Sequence, residues 1–296
     1  MAQRKSRHRG PSGGSQGGTH AGGHGDGHGG GHPGGRGRAG GGRRDRGRHV
    51  RPGGGGSPWI YGQHAVAAAL ANPARRCTRL LATDTATIPV ENPPISPEIV
   101  GREVIDALLP PGAVHQGLAL LADPLPEMDV TDLAALAAER PRILTIALDQ
   151  VTDPQNVGAV MRSAAAFGAA ALIVPERHSP DTTGALAKAA SGALEAVPLL
   201  RPNNLVRALE ALKEAGFWAV GFDMDAPQAL PGADLPDRCI LVLGAEGRGL
   251  RRLTRETCDL MVHVPMTGAV ESLNVSASAA VALYEWSRRA PTQDTD

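Results

Sequence analysis

CILVLGAEGRGL (residues 239–250) and MVHVPMTGAVESLNVSASAAVALYEW (residues 261–286) decide the fold of this chain. The first stretch predicts a buried strand over 240–243 that enters a glycine-broken loop. The second predicts a short strand over 261–264, then a turn and a helix rich in small residues. Two strand ends would present bare backbone amides and carbonyls side by side, with the carboxylate of Glu246 between them. Such an arrangement can hold a polar, partly adenine-like ligand through main-chain hydrogen bonds.

An earlier block supplies further polar side chains. ILTIALDQVTDPQNVGAVMRSAAAFGA (residues 143–169) predicts an apolar strand, an Asp–Pro turn and a helix. Asn156 falls in the first turn of this helix and Arg162 in the second. Their separation of six residues places them on neighbouring faces near the start of the helix.

The three blocks, in this order, resemble motifs 1, 2 and 3 of the SpoU–TrmH family of RNA ribose 2′-O-methyltransferases. The matching pieces are N-x-G-x-x-x-R in the first block, L-G-x-E-x-x-G-L in the second and P-M-x-G-x-x-x-S-L-N-V-S in the third. The resemblance covers about residues 141–290, and GAVHQG at 112–117 extends it upstream. Three motifs in the right order are far more specific than any one of them.

The resemblance implies an α/β fold of the SPOUT type, with a mainly parallel sheet and a C-terminal trefoil knot. A shortened L30e-like α/β domain that binds the RNA substrate would precede it. Periodicity alone predicts a doubly wound sheet covered on both faces and indicates no knot. The resemblance also implies a homodimer formed through the motif 1 helix and the last helix, with the active site near the interface. On the last helix Ala277, Ala279, Ala280 and Ala282 would give a flat face.

The glycines of the second block form G-x-x-G-x-G, which differs from the dinucleotide pattern G-x-G-x-x-G and follows a late strand. A nicotinamide dehydrogenase is therefore disfavoured, and a plain tight turn is the simpler alternative. The resemblance instead implies a loop that wraps S-adenosyl-L-methionine, with the adenosine held by backbone groups. The residues implied in cofactor binding are Gly244, Val264 and Leu273, together with Leu243 and Met266 beside them.

Arg162 is the candidate for the activating residue, as it is in the resembling family. An arginine stays protonated, so it suits a clamp on a substrate phosphate and on developing oxyanion charge. The alternative is a surface arginine on an amphipathic helix. The other candidate catalytic residues are Asn156, Glu246, Ser272 and Asn274.

Each of these four residues has a simpler interpretation. Asn156 could merely cap its helix, and Ser272 and Asn274 could cap the last one. Glu246 is either a solvated loop acid or a partner that fixes Asn156 or Arg162. His263 is interpreted as structural, and no metal site is expected among these residues.

The zero net charge of the 296 residues conceals a strong asymmetry. Residues 1–57 hold 11 basic and two acidic residues, a net charge of +9, whereas 58–296 hold 19 and 28, a net charge of −9. The first segment also has 23 of the 38 glycines, and it predicts a disordered arm. Its Arg–Gly stretches resemble segments that bind RNA without sequence preference, although a solubilising tail is an alternative. Histidines at 20, 24, 28 and 32 would bind metal only on a helix, which the glycines disfavour.

Composition and the family resemblance together predict an arm (1–57), an L30e-like RNA-binding domain (58–124), a linker (125–140), the methyltransferase domain (141–290) and a tail (291–296). The pattern predicts a helix from Trp59 to Asn72–Pro73, a loop over 84–98 and a linker helix capped by Thr131 or Asp132. Further helices are expected over 155–167, 182–191, 203–215, 249–257 and 274–289, and strands over 78–83, 117–123, 142–148, 170–174, 217–222, 239–243 and 260–264. Three unclustered cysteines and the lack of a signal peptide or an apolar span predict a cytoplasmic protein with reduced thiols and no membrane partner.

The favoured function is S-adenosylmethionine-dependent methylation of a ribose 2′-hydroxyl in RNA. GAVHQG and the segment from Trp59 to Ala68 resemble the branch of the family that methylates a guanosine of 23S rRNA. Two alternatives remain open at this point. One is a tRNA 2′-O-methyltransferase of the same family, and the other is a non-catalytic RNA-binding factor for ribosome assembly.

Overall fold

The computed structural model describes residues 59–177, 180, 184–268 and 272–289, all of which belong to one compact unit. The expected arm with its four periodic histidines, and the tail at 291–296, lie outside the described residues. No helix in the part of the chain that the structure describes is long and apolar enough to cross a membrane.

A small sheet opens the described fold. Its strand order is β1-β4-β2-β3, with β4 antiparallel to both β1 and β2 and β3 parallel to β2. The strands are β1 (Trp59–Tyr61), β2 (Cys77–Ala82), β3 (Pro97–Ile99) and β4 (Leu118–Ala122).

A large sheet follows, in which every pair of neighbouring strands is parallel. Within the described residues its members are β5 (Ile143–Asp149), β6 (Ala171–Ile173), β7 (Leu199–Leu200), β8 (Trp218–Phe222), β9 (Gln228–Ala229), β10 (Arg238–Gly244) and β11 (Leu260–His263). Their order is β7-β6-β5-β10-β8-β11-β9. This arrangement confirms the expected α/β class with a mainly parallel sheet.

Helices connect the strands and cover the sheet. They are α1 (Gln63–Ala71), α2 (Arg102–Leu108), α3 (Val130–Ala138), α4 (Pro154–Ala166), α5 (Gly184–Ala190), α6 (Leu205–Glu214), α7 (Arg252–Thr257) and α8 (Val275–Ser287). Side chains of β5 alternate between two apolar clusters, because successive residues of a strand point to opposite faces. Leu144, Ile146 and Leu148 pack on the α4, α5 and α8 side, whereas Ile143 and Ala147 pack on the α3 and α6 side. The first cluster includes Ile60 and Leu80, so the small sheet shares this core.

The predicted helix from Trp59 is wrong in its first four residues. Trp59–Tyr61 is the strand β1, all of whose residues are buried, and the helix begins only at Gln63. Gly62 separates the two with a φ of 88°, a left-handed conformation that an α-helix cannot contain. The predicted end of the helix is confirmed, since Asn72 is its C-cap.

Other local predictions need smaller corrections. The linker helix is capped by Asp129, which forms a reciprocal capping box with Asp132. The loop predicted over 84–98 runs into β3, and the two-residue edge strands β7 and β9 were not predicted. Helix α7 begins at Arg252 and not at residue 249, because Gly249 has a φ of 62°. Of the four alanines expected on one face of α8, Ala279 and Ala282 are buried whereas Ala277 is exposed.

The three cysteines are free thiols, as expected for reduced cysteines. Burial is the main cause that raises the pKa of Cys258 to about 12 and also raises the pKa of Cys239. Neither thiol is activated as a nucleophile, because the thiolate is the reactive form.

Candidate active site

A cleft of about 880 Å³ lies at the carboxyl ends of β10, β8 and β11. Ligands of open parallel sheets bind at this edge. The ends of β10 and β11 are not neighbours, contrary to the prediction, because β8 lies between them and pairs with both. The residues that follow β8 therefore also line the cleft.

The loop after β10 doubles back on itself at Gly244. The N–H of Gly249 donates to the carbonyl oxygen of Ala245 at 2.9 Å, and these two residues form an isolated antiparallel bridge. A Cβ atom on Gly244 would lie 2.1 Å from the carbonyl carbon and oxygen of Gly249. The close approach of the two chain segments therefore requires glycine at 244. The loop that this approach closes lines the cleft.

All five residues predicted to bind the cofactor line this cleft. Gly244 and Leu243 come from the end of β10, and Val264 follows β11 directly. Met266 and Leu273 come from the segment between β11 and α8. The structure thus brings together residues from two motifs in one cavity with both apolar side chains and strand-end peptide groups.

Asn274 connects the three motifs through one side chain. Its Nδ2 donates to Oδ1 of Asn156 at 3.1 Å and to Oε2 of Glu246 at 3.4 Å. Its Oδ1 accepts from the backbone N–H of Ser276 at 2.8 Å and so caps α8. Because the helix N–H needs an acceptor, the amide is oriented with its two Nδ2 hydrogens toward Asn156 and Glu246.

These contacts decide among the simpler interpretations. Asn274 does cap the last helix, but it also bridges the other two motifs. The cap of α4 is Asp153, so Asn156 is not a cap residue. The hydrogen-bond partner of Glu246 is Asn274, which stands between Glu246 and Asn156. Ser272 lines the cleft as an exposed residue.

Arg162 stands apart from this cluster. It is an exposed residue of α4 and is not among the residues that line the cleft. No hydrogen bond or ion pair joins its guanidinium to another described residue of the same chain. Six residues turn a side chain by about 120° around an α-helix, so the neighbouring faces that were predicted leave Arg162 outside the cluster of Asn156, Glu246 and Asn274.

The loop after β8 is the part of the site that the sequence did not reveal. Asp223, Met224 and Asp225 line the cleft between the ends of β10 and β11. Acids in a turn after a strand are common, so no signal in the sequence singled them out. The Nδ1 of His263 lies 2.8 Å from the carbonyl oxygen of Ala226 and must carry the proton, a contact that supports the structural interpretation, and His263 also lines the cleft.

Comparisons with known proteins agree with this geometry. The model of the SpoU rRNA methylase family matches residues 143–284, and a model described as RNA 2′-O ribose methyltransferase substrate binding matches residues 59–128. The chain is 42% identical over 234 residues to the 23S rRNA (guanosine-2′-O-)-methyltransferase RlmB of Vibrio cholerae, covering 76% of this chain and 94% of that protein. The corresponding protein of Escherichia coli K12 is 38% identical, with 77% and 97% covered.

Solved structures show the same fold. A TrmH-family RNA methyltransferase from Porphyromonas gingivalis aligns with a TM-score of 0.64 at 29% identity, over 78% of this chain and 90% of that chain. The SpoU methyltransferase AviRb from Streptomyces viridochromogenes aligns with a TM-score of 0.66 at 24% identity, over 78% and 89%. With relatives of this identity matched over nearly their whole length, the chain belongs to the SpoU rRNA methylase family.

Proposed function

We propose that this protein is an S-adenosyl-L-methionine-dependent methyltransferase that methylates the ribose 2′-oxygen of a guanosine in 23S rRNA. The observation that carries the proposal is the bridge from Asn274 to Asn156 and Glu246, which joins one residue of each motif; Glu246 and both chain neighbours of Asn274 line the cleft. The relatives named 23S rRNA methyltransferases favour that RNA over tRNA, and ribosomal RNA as substrate implies a cytoplasmic location.

The cleft fits S-adenosylmethionine in size and in chemistry. Its volume of about 880 Å³ falls in the usual range of cofactor sites, about 300–1,000 Å³. Leu243, Val264 and Leu273 offer apolar surface to an adenine ring, and peptide groups at Gly244 and Val264 can bond to its edge. When bound there, the cofactor supplies an electrophilic methyl group to the ribose 2′-oxygen.

The residues of the chain orient the ribose and stabilise its developing charge. Arg162 holds a phosphate of the RNA and the 2′-oxygen as that oxygen loses its proton, with the phosphate as the proton acceptor. The remaining hydrogen-bonding capacity of Asn156 and Glu246 is available to the ribose, because Asn274 uses one acceptor oxygen on each. Ser272, exposed in the cleft, contributes a hydroxyl to the same region.

The exposed position of Arg162 supports a homodimer. On α8 the exposed residues Ala277, Val281 and Tyr284 recur at helical spacing and form an apolar stripe. Tyr284 packs edge-to-face on Phe167, next to the end of α4, with ring centroids 6.1 Å apart. A dimer formed over α4 and α8 would cover this stripe and carry Arg162 to the interface, close to a second cleft.

Size measurement by light scattering tests the dimer. Val281→Asp should convert the protein to a monomer and abolish methyl transfer, since a buried charge opposes association. Leu253→Asp is the matched control, because Leu253 is also exposed but lies on α7. A wild-type protein that is monomeric at micromolar concentration would contradict this part of the proposal.

We further propose the domain boundaries given above, with residues 58–124 as an L30e-like RNA-binding domain and residues 141–290 as the methyltransferase domain. Two family models match separate parts of the chain, residues 59–128 and residues 143–284, and so support this division. A trefoil knot is supported by the course of the chain: the segment after β11 lines the cleft with the loop after β10, and α8 then packs on α4 and β10. A crystal structure with an unknotted trace would contradict the knot.

Ribose-methylation mapping of RNA from cells that lack the protein tests the function. One guanosine of 23S rRNA should lose its 2′-O-methyl group and regain it when the wild-type chain is restored. Loss of methylation in a tRNA alone would transfer the assignment to the tRNA branch. Unchanged methylation in both RNAs, with no binding of S-adenosylmethionine in calorimetry, would favour the non-catalytic assembly factor.

A further inference from the structure

The loop that follows β8 occupies the centre of the cleft. Strand β8 pairs with β10 on one side and with β11 on the other. Residues 223–226 therefore emerge between Gly244, at the end of β10, and Val264, just beyond β11. A nucleoside held by the peptide groups of both Gly244 and Val264 must pass across this loop.

The loop is held rigidly in place. The N–H of Asp223 donates to the carbonyl oxygen of Val262 at 3.0 Å, and His263 bonds the carbonyl oxygen of Ala226 at 2.8 Å. Within the loop, the carboxylate of Asp223 accepts from the N–H of Asp225 at 2.9 Å and also pairs with Arg255. The Cα atom of Asp225 is thus fixed by contacts that do not involve its own side chain.

Asp225 differs from the other two acids of the cleft. Asp223 is neutralised by Arg255, and Glu246 accepts a hydrogen bond from Asn274. The carboxylate of Asp225 is exposed and makes no hydrogen bond or ion pair with any residue in the described ranges. It keeps both oxygens free to accept hydrogen bonds from a ligand.

We propose that Asp225 binds the ribose hydroxyls of the cofactor, an inference that rests on the proposed function. Two vicinal O–H groups are donors that match the two oxygens of one carboxylate, and charge-assisted bonds of this kind are strong. A carboxylate on ribose hydroxyls is also how many nucleotide sites select their ligand. An RNA phosphate is unsuited to this position, since Asp225 would repel it.

A pair of nucleosides that differ only in the ribose hydroxyls isolates this contact. We would titrate 5′-methylthioadenosine and its 2′,3′-dideoxy analogue into wild-type protein and Asp225→Ala by calorimetry. The substitution should weaken binding of methylthioadenosine about tenfold or more and leave binding of the dideoxy analogue nearly unchanged. Because the side chain is exposed and forms no hydrogen bond or ion pair with the described residues, the variant should fold normally, which circular dichroism checks.

Met224→Ala is the matched control, since Met224 is exposed in the same loop and lines the same cleft. It should weaken both nucleosides equally. If Asp225→Ala lost the same affinity for both nucleosides, the inference would be overturned. A loss of affinity for S-adenosylhomocysteine without a loss for methylthioadenosine would also overturn it, because Asp225 would then bind the ammonium group of the amino-acid part. A wild-type protein that binds none of these ligands would overturn the proposed function itself.

Discussion

The carboxylate of Asp149 accepts two hydrogen bonds from Arg251, one from its backbone N–H at 3.0 Å and one from its Nε at 2.7 Å. Asp149 ends β5 and its side chain is fully buried, whereas Arg251 ends the loop that begins at Gly244. Gly244 is the register partner of Asp149 in the sheet, so one residue holds both ends of this loop, its strand position the Gly244 end and its carboxylate the Arg251 end. The shape of one wall of the cleft therefore depends on a residue that does not line it.

Asp149→Ala should destabilise the protein and weaken cofactor binding. The change leaves the Arg251 N–H without its acceptor, at a cost of about 1–3 kcal/mol in the free energy of unfolding. Urea denaturation and calorimetric titration with S-adenosylmethionine measure the two effects. Asp153→Ala is the control, because it removes the cap of α4 at a cost of about 1 kcal/mol without touching the loop. Equal cofactor affinity in both variants would refute the role of Asp149.

Asn274→Ser separates the two roles of Asn274. Serine caps a helix about as well as asparagine, so stability should change by less than about 0.5 kcal/mol. Methyl transfer should fall at least tenfold, because the hydroxyl is too short to bridge Asn156 and Glu246. Asn204→Ser provides the comparison, since Asn204 caps α6 in the same way but lies outside the site. If the Asn274 variant keeps full turnover, the bridge has no catalytic role.

The sequence could predict those parts of the site that are formed by residues close together in the chain, but not those formed by residues far apart. Gly244, Val264 and Leu273 were implied by the resemblance of two short motifs to those of a known family, and all three line the cleft. The pair Asp149 and Arg251 is separated by 102 residues and leaves no local signal.

Strand order explains the remaining omissions. Adjacent β10 and β11 were expected from their nearness in sequence, and Asp225 was missed because β8 inserts between them. Arg162 and Asn156 were predicted on neighbouring faces of one helix from their separation of six residues, and neither of them is among the residues that line the cleft. The strand β1 was missed because Gly62 ends it after three residues, a length at which periodicity carries no information.

Arg162→Ala should abolish methyl transfer and leave the affinity for S-adenosylmethionine unchanged, since we propose that its guanidinium acts on the RNA and not on the cofactor. A variant that keeps a tenth of wild-type turnover would show a loss of only about 1.4 kcal/mol, too little for the main activating group. Single-turnover assays with calorimetry give both quantities. Arg207→Ala should behave as wild type, because Arg207 is an exposed arginine on α6, remote from the site.

Glu285 should give the C-terminal helix a pH-dependent contribution to stability. Hydrogen bonds from Arg288, and then from Arg289, lower the pKa of this buried carboxyl below its ordinary value of 4.5. A lowered folded-state pKa stabilises the protein above the unfolded value, and this stabilisation is lost as the pH falls through the folded value.

Glu285→Gln should therefore unfold more easily than wild type at pH 7, by about 1–2 kcal/mol, because Arg288 is partly exposed and screened. The gap should close as the pH falls below 4.5. Urea titrations at several pH values measure it. Glu256→Gln, which breaks the exposed Arg252 pair, should cost little at any pH. A constant gap for Glu285→Gln down to pH 3 would mean that its effect is not electrostatic.

Removing residues 1–57 should weaken RNA binding mainly at low salt. This segment carries a net charge of +9, whereas residues 58–296 carry a net charge of −9. It is therefore the part of the chain best able to displace counterions from RNA. Each lost phosphate contact should flatten the slope of log affinity against log salt by about 0.7–0.9. Filter binding at several salt concentrations, for the full chain and for residues 58–296, measures the slope. Cofactor affinity should be equal in the two proteins, because every residue assigned to the cleft lies beyond residue 220.

Identical slopes would show that the arginines of this segment do not contact RNA. The methylated nucleotide should stay the same after truncation, since contacts to phosphates add affinity without identifying a base.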